Sequence, residues 1–433
     1  MTFLTSVFKF IVFNERIDLM NFEEMKNVLE KYNQNHVVLA YERADEEKKK
    51  KILEQVSRID FENMEKLYGI AKNPVEVEEA EISPMPYEDT TKLTNEEKNK
   101  YIKIGEDIIR NGKLAVVTMA GGQGTRLGHT GPKGTYDLGL DSHKTLFEIL
   151  NDNLKEALKK YNVAIPWYIM TSNENNEDTI RFFEEKNYFG YPKDFVKMFF
   201  KQSELPMLDE EGKLIINEEG IIKEAADGHG GVFEAMFKNG VLKEMKENGI
   251  EWIFIGGVDN VLVKMADPLF IGFAAANNYM AASKTLEKAY PEEKVGVFCK
   301  KDGKPYVIEY TEISDEMANE RNEKGELVYA ESHVLLNLFN IETLEKIKEA
   351  KLPYHSAHKK ATYTDEDGKV ITPDTPNAYK FEAFLFDAFS LLPEIGLLRG
   401  IREDEFAPVK NAVGNDSPET AKKLYIDFLK RNG

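Results

Sequence analysis

A glycine-rich turn at residues 120–135 carries the residues best suited to chemistry in this sequence. It reads Ala-Gly-Gly-Gln-Gly-Thr-Arg-Leu-Gly-His-Thr-Gly-Pro-Lys-Gly-Thr and follows an apolar run, 114–119, that predicts a buried strand. Glycines let backbone N–H groups approach an anion closely and adopt positive φ angles. Arg126 and Lys133 add two cations beside the turn. A strand, a glycine turn and two cations together predict a phosphate-binding site.

This turn differs from the two commonest phosphate-binding loops. A Walker loop ends in Gly-Lys-Ser/Thr, whereas here His129 follows Gly128. The dinucleotide-binding fingerprint needs a third glycine where Leu127 stands, and it needs a helix that starts at once. Here the pair Gly131-Pro132 delays the helix. The turn is therefore expected to hold phosphate in a different setting from either loop.

Two polar residues follow other apolar runs of the sequence. Asp259 stands after Gly256-Gly-Val at the end of the apolar run 252–255, and a carboxylate there can hold Mg²⁺ between phosphate oxygens or, equally, cap a helix. Gln202 follows the run 196–200, and its amide suits a nucleobase edge, the alternative being a plain polar strand end. Ligands of parallel α/β sheets bind at the carboxyl ends of strands. We therefore expect the glycine turn, Gln202 and Asp259 to share one crevice.

A second glycine-rich turn and two charged residues complete the candidates. Residues 226–231 read Ala-Asp-Gly-His-Gly-Gly before a predicted helix, so Gly228 can bring backbone against a base or sugar. No second histidine stands at metal-ligand spacing from His229, which argues against a metal site there. Glu309 lies on a candidate strand and can bind sugar hydroxyls, whereas Lys410 taken alone is a surface lysine.

The elements that must position these residues alternate along the middle of the chain. Apolar runs predict strands at 114–119, 166–171, 196–200 and 252–255. Helical spacing predicts helices at 101–110, 144–161, 176–189, 231–246 and 267–277. Repeated strand–helix units predict an α/β fold with a mostly parallel sheet and helices on both faces.

The flanking parts of the chain follow other patterns. Residues 20–68 have the spacing of two or three charged helices, and 74–89, which is acidic and holds three prolines, predicts an extended linker. The runs 295–299 and 306–311 flank Asp302-Gly303 and predict a hairpin. Beyond Phe381, helix and loop are expected to dominate.

Composition limits the classes of partner. The chain has 433 residues and a net charge of −19, with 42% hydrophobic and 31% charged residues. This acidity argues against a nucleic-acid partner and against an anionic membrane surface, so a phosphate ligand must rely on local cations. The single cysteine, Cys299, excludes an intramolecular disulfide and a cysteine-based metal cluster. We expect a cytoplasmic globular protein.

The apolar stretch Phe3–Phe13 is too short to span a bilayer and is interrupted by Lys9. No basic region precedes it and no small-residue cleavage site follows, so a secretory signal is not expected. It is expected to be an amphipathic extension, or part of an over-extended start with Met20 as the true beginning.

Several motifs occur together in one order. After the glycine turn and its Pro-Lys-Gly come Phe200-Lys-Gln202, Ala226-Asp-Gly-His-Gly-Gly231, Val258-Asp-Asn-Val-Leu-Val-Lys264, Val307-Ile-Glu-Tyr-Thr-Glu312, Tyr354-His-Ser-Ala-His-Lys-Lys360 and Arg402-Glu-Asp-Glu-Phe-Ala-Pro-Val-Lys-Asn-Ala412. In this order they resemble the eukaryotic-type UDP-sugar pyrophosphorylases, and among them the UDP-N-acetylhexosamine (UDP-N-acetylglucosamine) pyrophosphorylases. The resemblance runs from about Met20 to the carboxyl end.

The resemblance implies a fold, a reaction and a domain order. The fold is a GT-A-like nucleotidyltransferase with a Rossmann-like, mostly parallel sheet. The reaction joins UTP and a sugar 1-phosphate, with Mg²⁺, to give UDP-sugar and pyrophosphate. The implied order is an N-terminal helical region and linker at 1–95, a central nucleotidyltransferase domain at 96–345 and a smaller C-terminal region at 346–433. The chemistry suits this composition, because aligning two polyanions needs cations, a metal and backbone N–H groups rather than a strong base.

Motif matches with the family also imply roles for single residues. Those implied to bind the nucleotide are Gly121, Gly122, Gly124, Thr125, Gln202 and Gly228. Those implied to act on the phosphates are Arg126, Lys133 and Lys410. Asp259 is implied to bind the metal and Glu309 the sugar hydroxyls.

Two departures from the family pattern fall at its sugar pocket. The acetylhexosamine enzymes read Gly-Asn-Gly-Gly where this chain has His229, and they have an asparagine that contacts the sugar where this chain has His333. An imidazole still donates and accepts hydrogen bonds, with a geometry unlike that of an amide. N-acetylglucosamine, N-acetylgalactosamine, glucose and galactose 1-phosphates all stay open as substrates.

A second class of function stays open beside the enzyme. A non-catalytic nucleotide-sugar binding protein can share the fold, although Arg126, Lys133, Asp259 and Lys410 are more charges than product binding needs. A dehydrogenase is a more distant alternative. The oligomeric state is not predicted from the sequence.

Overall fold

The computed structural model describes residues 20–73 and 80–432, so the stretch Phe3–Phe13 lies outside the described residues. By contacts, the chain forms two compact units that each gather three separate segments. The predicted ranges 1–95, 96–345 and 346–433 divide the chain by position alone, and they stay a prediction. In the parts of the chain that are described, no helix combines the length and apolar character needed to cross a membrane.

Helices and strands follow one another throughout the described residues. The α-helices are α1 (Phe22–Lys31), α2 (His36–Arg43), α3 (Glu46–Arg58), α4 (Phe61–Lys72), α5 (Asn95–Arg110), α6 (Leu146–Tyr161), α7 (Asn176–Glu185), α8 (Gly231–Lys238), α9 (Val241–Glu247), α10 (Pro268–Ala276), α11 (Asp315–Asn319), α12 (Ile341–Ala350), α13 (Arg402–Glu405) and α14 (Pro418–Asn432). Short 3₁₀ turns occupy Thr125–Leu127, Lys133–Thr135, Asn187–Gly190, Lys193–Phe195 and Leu385–Leu391.

The strands are β1 (Ile82–Pro84), β2 (Glu88–Asp89), β3 (Leu114–Met119), β4 (Trp167–Thr171), β5 (Val196–Lys201), β6 (Glu204–Pro206), β7 (Leu208–Asp209), β8 (Glu224–Ala226), β9 (Trp252–Gly257), β10 (Ala281–Glu287), β11 (Gly296–Lys301), β12 (Lys304–Ile308), β13 (Glu331–Asn340), β14 (His355–Lys359), β15 (Tyr363–Thr364), β16 (Val370–Ile371), β17 (Ala378–Glu382) and β18 (Gly396–Arg399). The alternation of these strands with helices confirms the predicted α/β class.

The larger unit, Glu76–Ser203, Ala226–Tyr354 and Glu382–Gly433, is built on one large sheet. Its main strands lie in the order β2-β18-β10-β13-β9-β3-β4-β5. β13 runs antiparallel to both neighbours, whereas the other neighbouring pairs are parallel. β1, β11 and β12 form an antiparallel group that joins this sheet through β11 and β13. The predicted mostly parallel sheet is therefore confirmed.

Strand β3 is buried along its whole length because helices cover both faces of this sheet. Successive side chains of a strand point to opposite faces. Leu114 and Val116 accordingly belong to one apolar cluster, which includes residues of α5, α6 and α10. Ala115 and Val117 belong to a second cluster, which includes residues of α8, α9 and α12. The continuous apolar run that predicts β3 thus reflects a strand with no solvent-facing side.

Capping explains where the helix after the glycine turn begins. Thr145 accepts a hydrogen bond from the Glu148 N–H, and the Glu148 carboxylate accepts one from the Thr145 N–H, which is a capping box. The predicted helix 144–161 is confirmed as α6 with a start two residues later. At its other end Asn162 adopts a left-handed conformation, φ 55°, a conformation that asparagine tolerates better than most residues.

The smaller unit, Met1–Val75, Glu204–Ala225 and His355–Phe381, carries α1–α4 on short strands. The region predicted to hold two or three helices holds these four. Two buried glutamines join the helices to the segment 204–225. Gln34 donates to Gly212 O at 3.0 Å and accepts from the Leu214 N–H at 2.8 Å. Gln55 donates to Ile222 O at 2.8 Å and accepts from the Ile222 N–H at 3.1 Å. Each amide thus pairs with backbone as a neighbouring strand would.

Some predicted elements were wrong. Ile82–Pro84 and Glu88–Asp89 within the predicted linker are strands β1 and β2, and Pro84 is tolerated because β1 lies at an edge. The predicted helix 231–246 is two helices, since Gly240 interrupts it at φ 73°. The predicted helix 176–189 ends at Glu185. Strands β10 and β18 were not predicted.

Candidate active site

The glycine-rich turn after β3 is folded back on itself. The Lys133 N–H donates to Gly122 O at 3.0 Å, and the Gly124 N–H donates to Gly131 O at 3.0 Å. Between these bonds, Thr125 and its neighbours form an exposed 3₁₀ turn. The turn is therefore held at its base and open at its tip, as a backbone cradle for an anion requires.

Asn175, which was not predicted from the sequence, anchors this turn. Its side-chain amide donates to Ala120 O at 2.9 Å and to Gly122 O at 3.3 Å, while its Oδ1 accepts from the Ser172 N–H at 2.8 Å. The residue is fully buried just beyond β4. The only local signal is an asparagine shortly after an apolar strand, a position where asparagine commonly forms a turn.

Gly121 and Gln202 meet across the sheet edge, as predicted. The Gln202 N–H donates to Thr171 O at 2.8 Å, which fixes it at the end of β5. A Cβ on Gly121 would lie 2.6 Å from Gln202 Oε1. Because real Cβ atoms do not approach so closely, a larger residue at position 121 would displace the Gln202 amide.

The second glycine turn lies next to Gln202 through a backbone bond. The Asp227 N–H donates to Ser203 O at 3.2 Å. Gly228 has φ 86°, and a Cβ there would lie 2.4 Å from Ala383 O. Both its conformation and this close approach require glycine. Gly121, Gln202 and Gly228 are thus brought to one region.

Lys133 and Asp259 form an ion pair at the carboxyl ends of β3 and β9. Lys133 Nζ lies 3.3 Å from Asp259 Oδ2, and the two side chains are 18% and 24% exposed. Among the described residues, no cluster of three or more His, Cys, Asp or Glu side chains is arranged to hold a metal ion. One carboxylate fits Mg²⁺ nonetheless, because this ion usually keeps waters and shares one or two carboxylates with substrate phosphates.

The segment that carries Lys410 is attached to the loop of Asp259. The Val409 N–H donates to Asp259 O at 2.9 Å, and Pro408 pairs with Asn260 in a β-bridge. Lys410 Nζ lies 4.0 Å from Asp416 Oδ2, with its side chain 42% exposed. Lys410 therefore lies beside the candidate metal ligand although the two are far apart in sequence.

Arg126 lies in the exposed turn Thr125–Leu127. Within the described residues its guanidinium makes no ion pair or hydrogen bond. It is therefore a cation with no competing partner in the part of the chain that is described, at the rim of the turn.

His229 and His333 pack around one phenylalanine. The ring centroids of His229 and Phe386 are 5.7 Å apart, and those of His333 and Phe386 are 5.4 Å apart. Gly296 pairs with His333 in the β11–β13 ladder, and a Cβ on Gly296 would lie 3.4 Å from Glu309 Oε1. The three residues implied for sugar binding are thus brought together.

Each histidine has one ring nitrogen fixed by a partner. His229 Nδ1 accepts a hydrogen bond from the Leu385 N–H at 3.0 Å, so its proton in the neutral state is on Nε2. His333 Nε2 lies 3.2 Å from Asn337 Oδ1, which makes Nε2 the donor and leaves Nδ1 as an acceptor. Within the described residues the second nitrogen of each ring has no hydrogen-bond partner. One imidazole therefore offers a donor and the other an acceptor.

Burial keeps both imidazoles neutral. Burial lowers the pKa of His229 to about 4, against the opposing effect of the Asp387 and Glu382 carboxylates. Burial, with a smaller contribution from His229, lowers the pKa of His333 to about 3. At neutral pH the pair thus acts through hydrogen bonds and not through charge.

A family model places this arrangement among known proteins. The model of UTP--glucose-1-phosphate uridylyltransferase matches residues 58–415, which include every predicted site residue. The chain belongs to this family. Its class is therefore that of the UTP:sugar-1-phosphate uridylyltransferases, and the family resemblance stated from the motifs is confirmed.

Individual relatives in this family are similar over most of their length. The UDP-N-acetylglucosamine diphosphorylase 2 of Arabidopsis thaliana is 36% identical, over 92% of this chain and 82% of the relative. The UDP-N-acetylglucosamine pyrophosphorylase of Saccharomyces cerevisiae is 39% identical, over 80% of this chain and 75% of the relative. The structure of the Trypanosoma brucei uridine diphosphate N-acetylglucosamine pyrophosphorylase in complex with inhibitor has a TM-score of 0.80 at 30% identity, and the match covers 93% of this chain and 84% of that one. The nucleotidyltransferase fold is thereby confirmed.

Replacing Gly121 should weaken nucleotide binding while leaving the fold intact. Gly121→Ala should weaken UTP binding at least tenfold, because the added Cβ displaces the Gln202 amide while the strands that support it remain. Isothermal titration calorimetry measures the binding, and thermal unfolding monitors the fold. Gly69→Ala is the matched control, since a Cβ at Gly69 meets no atom within 4 Å. Equal UTP affinity in Gly121→Ala and wild type would contradict the predicted nucleotide site.

The partly buried His229 and the buried His333 should make the stability of the protein fall in acid. Their pKa values are lowered in the folded state, so below about pH 6.5 the unfolded chain binds more protons and the free energy of unfolding decreases as pH is lowered towards 4. Each contributes a slope of about 1.4 kcal/mol per pH unit in this window. The free energy of unfolding, measured with urea at pH 7, 6 and 5, should depend less steeply on pH in His333→Asn than in wild type. His143→Asn, which changes an exposed histidine, is the control. Identical slopes in wild type and His333→Asn would contradict the burial of a neutral imidazole.

Proposed function

We propose that this chain makes UDP-N-acetylglucosamine and pyrophosphate from UTP and N-acetylglucosamine 1-phosphate. The observation that carries the proposal is the Lys133–Asp259 pair at the open glycine turn, with Lys410 on the adjoining segment. The relatives named for UDP-N-acetylglucosamine support the choice of sugar. A cytoplasmic location belongs to the same proposal, and the reduced, buried thiol of Cys299 is compatible with it.

The proposed uridine site uses backbone approach and one amide. Gly121 leaves room for the Gln202 amide and Gly228 for the backbone of Ala383, and Gln202 would present an oxygen and an N–H group to the edge of the base. The imide edge of uracil offers one donor between two acceptors, which a side-chain amide together with backbone groups can match. Gly122 and Thr125 would direct backbone N–H groups at the phosphates, whereas Gly124, whose N–H donates to Gly131 O, would shape the turn that holds them.

The proposed chemical step is an in-line displacement at the α-phosphorus of UTP. An oxygen of the sugar phosphate forms the new bond to that phosphorus, and the bond to the bridging oxygen of the leaving pyrophosphate breaks. Because the sugar phosphate is already an anion at neutral pH, no proton has to be removed. The chain's task is alignment and stabilisation of negative charge, for which Lys133, Lys410 and Arg126 are the available cations.

Mg²⁺ is part of this proposal, with Asp259 as the residue that would hold it. When bound, the ion would supply positive charge to phosphate oxygens. Lys133 and Asp259 neutralise each other in the structure described. A phosphate at Lys133 would take the place of the negative Asp259 carboxylate, and a cation at Asp259 would take the place of the positive Lys133 amine. The site can therefore accept both without leaving an unpaired buried charge.

The histidine pair offers a physical basis for an acetamido sugar. An acetamido group presents one N–H donor and one carbonyl acceptor, and the pair presents one free acceptor, on His333, and one free donor, on His229. A simple hydroxyl can use only part of this arrangement across two separated rings. The alternative, a UTP–glucose or UTP–galactose 1-phosphate uridylyltransferase, is favoured by the absence of the family's two asparagines at these positions.

Lys133 and Asp259 should affect turnover more than folding. Lys133→Ala should lower kcat by about 10²-fold or more, as expected for the loss of one preorganised charge worth roughly 3 kcal/mol in the transition state. Asp259→Asn and removal of divalent cations with EDTA should each lower the rate strongly. Initial rates of pyrophosphate release test this, with Lys92→Ala as a surface-lysine control. A loss confined to UTP affinity, with kcat intact at saturation, would show that Lys133 only anchors the nucleotide.

A panel of sugar 1-phosphates tests the substrate. With UTP and Mg²⁺, pyrophosphate release should be fastest with N-acetylglucosamine 1-phosphate, and His333→Asn should change the ratio of kcat/KM between acetamido and 2-hydroxy sugars by about 10-fold, the order expected for one hydrogen bond. Similar rates for glucose and N-acetylglucosamine 1-phosphates would favour the alternative. No release with any member of the panel would refute uridylyl transfer.

A further inference from the structure

We propose that Glu405 is a positioning residue for Lys410, through a network of four charges, centred on the buried Glu405 and Lys284, that fixes the segment 405–410 against the loop of Asp259. The inference rests on the proposed role of Lys410 in uridylyl transfer. Glu405 itself is 6% exposed and stands at the end of the short helix α13.

The network consists of two lysines and two carboxylates. Glu405 Oε2 lies 2.7 Å from Lys284 Nζ, and Glu405 Oε1 lies 2.9 Å from Lys264 Nζ. Lys284 Nζ also lies 2.6 Å from Asp267 Oδ2. The charges of the four groups sum to zero, and Glu405 is the member that joins both lysines.

Three of the four members are held by elements of regular structure. Asp267 is the N-cap of α10, where it accepts from the Leu269 N–H at 3.0 Å. Lys284 lies in β10, a buried strand of the sheet, with its side chain 3% exposed. Burial lowers the Lys284 pKa, but the two carboxylates raise it further, so it lies above its usual value and the lysine is charged. Glu405 is therefore paired with a cation that cannot move freely.

The backbone after Glu405 is bound to the loop of Asp259 residue by residue. Asn260 donates from its side chain to Glu405 O at 2.7 Å and accepts from the Ala407 N–H at 2.9 Å. The Val409 N–H then donates to Asp259 O at 2.9 Å. Lys410 is the next residue, so the position of its backbone follows from that of Glu405.

The fixed backbone of Lys410 would help the proposed reaction by reducing the conformational freedom that this residue loses when it binds phosphate. Lys410 is half-exposed, and among the residues that the structure describes its side chain has one distant ion-pair partner, Asp416 at 4.0 Å. A long, exposed side chain loses conformational freedom when it binds phosphate. When its backbone is already fixed beside Asp259, less conformational freedom is lost on binding. A network remote from the substrate can raise the rate in this way.

The test measures backbone order and turnover in the same proteins. In Glu405→Gln, hydrogen–deuterium exchange should become at least tenfold faster at the amides of Ala407 and Val409, because a neutral amide replaces the carboxylate that holds the segment. The value of kcat should fall about tenfold with UTP affinity unchanged within twofold. When Lys410 is already alanine, Glu405→Gln should cause no further fall in kcat, since there is no amine left to position.

Two further variants keep the test decisive. Lys264→Met removes the more exposed of the two lysine partners and should give the same changes in a weaker form, should Glu405→Gln fold poorly. Asp404→Asn is the matched control, because the neighbouring Asp404 pairs with Arg431 outside the network and should alter neither exchange nor kcat.

Either of two results would overturn the proposal. One is unchanged exchange at Ala407 and Val409 in both network variants. The other is an equal fall in kcat with and without Lys410, which would indicate a general loss of structure. Exchange that rises as expected in a protein with no uridylyl transfer would support the hold on the segment and refute the proposed function instead.

Discussion

Met119 of β3 pairs with Gly257 of β9 in a parallel ladder, and the position of every charged group at the site depends on this register. The glycine turn begins directly after Met119, and Asp259 stands two residues beyond Gly257. Because both strands run in the same direction, their loops emerge at one edge of the sheet. A shift of one strand by one residue would turn every one of its side chains to the opposite face and separate Lys133 from Asp259. The burial of β3 on both faces makes such a shift costly.

From this register outward, the site is assembled by backbone hydrogen bonds that join segments distant in sequence. Asn175 holds the glycine turn, Ser203 holds the second turn, and Asp259 holds the segment of Lys410. Each contact places flexible loop backbone against a rigid strand end. Under the proposed function, a chain with a net charge of −19 would still present Arg126, Lys133 and Lys410 to phosphate, because the fold and not the overall composition sets where these cations lie.

The features that were predicted from the sequence are those with a local pattern. The run 114–119 is apolar and contains β-branched residues, and the glycines and cations after it form a pattern typical of an anion-binding turn. Strand β10 was missed because it reads Ala-Ala-Ser-Lys-Thr-Leu-Glu, and a polar strand is stable here only since its side chains find partners across the sheet, such as Ser283 with Asn337 at 2.9 Å. The contact of His333 with Asn337 could not be predicted from the sequence either. Four residues of regular strand span about 13 Å, and the two side chains meet only where Leu335 interrupts the strand at φ 56°.

The composition of the smaller unit has a consequence for how the chain folds during synthesis. Its helices α1–α4 are translated before residues 204–225, which hold the backbone partners of Gln34 and Gln55, and the last segment of the unit ends at Phe381. Contacts between segments so distant carry a large loop-closure entropy and form slowly. The helices therefore lack these partners while strands β1–β5 of the larger sheet are translated, an interval in which this part of the nascent chain needs protection from aggregation.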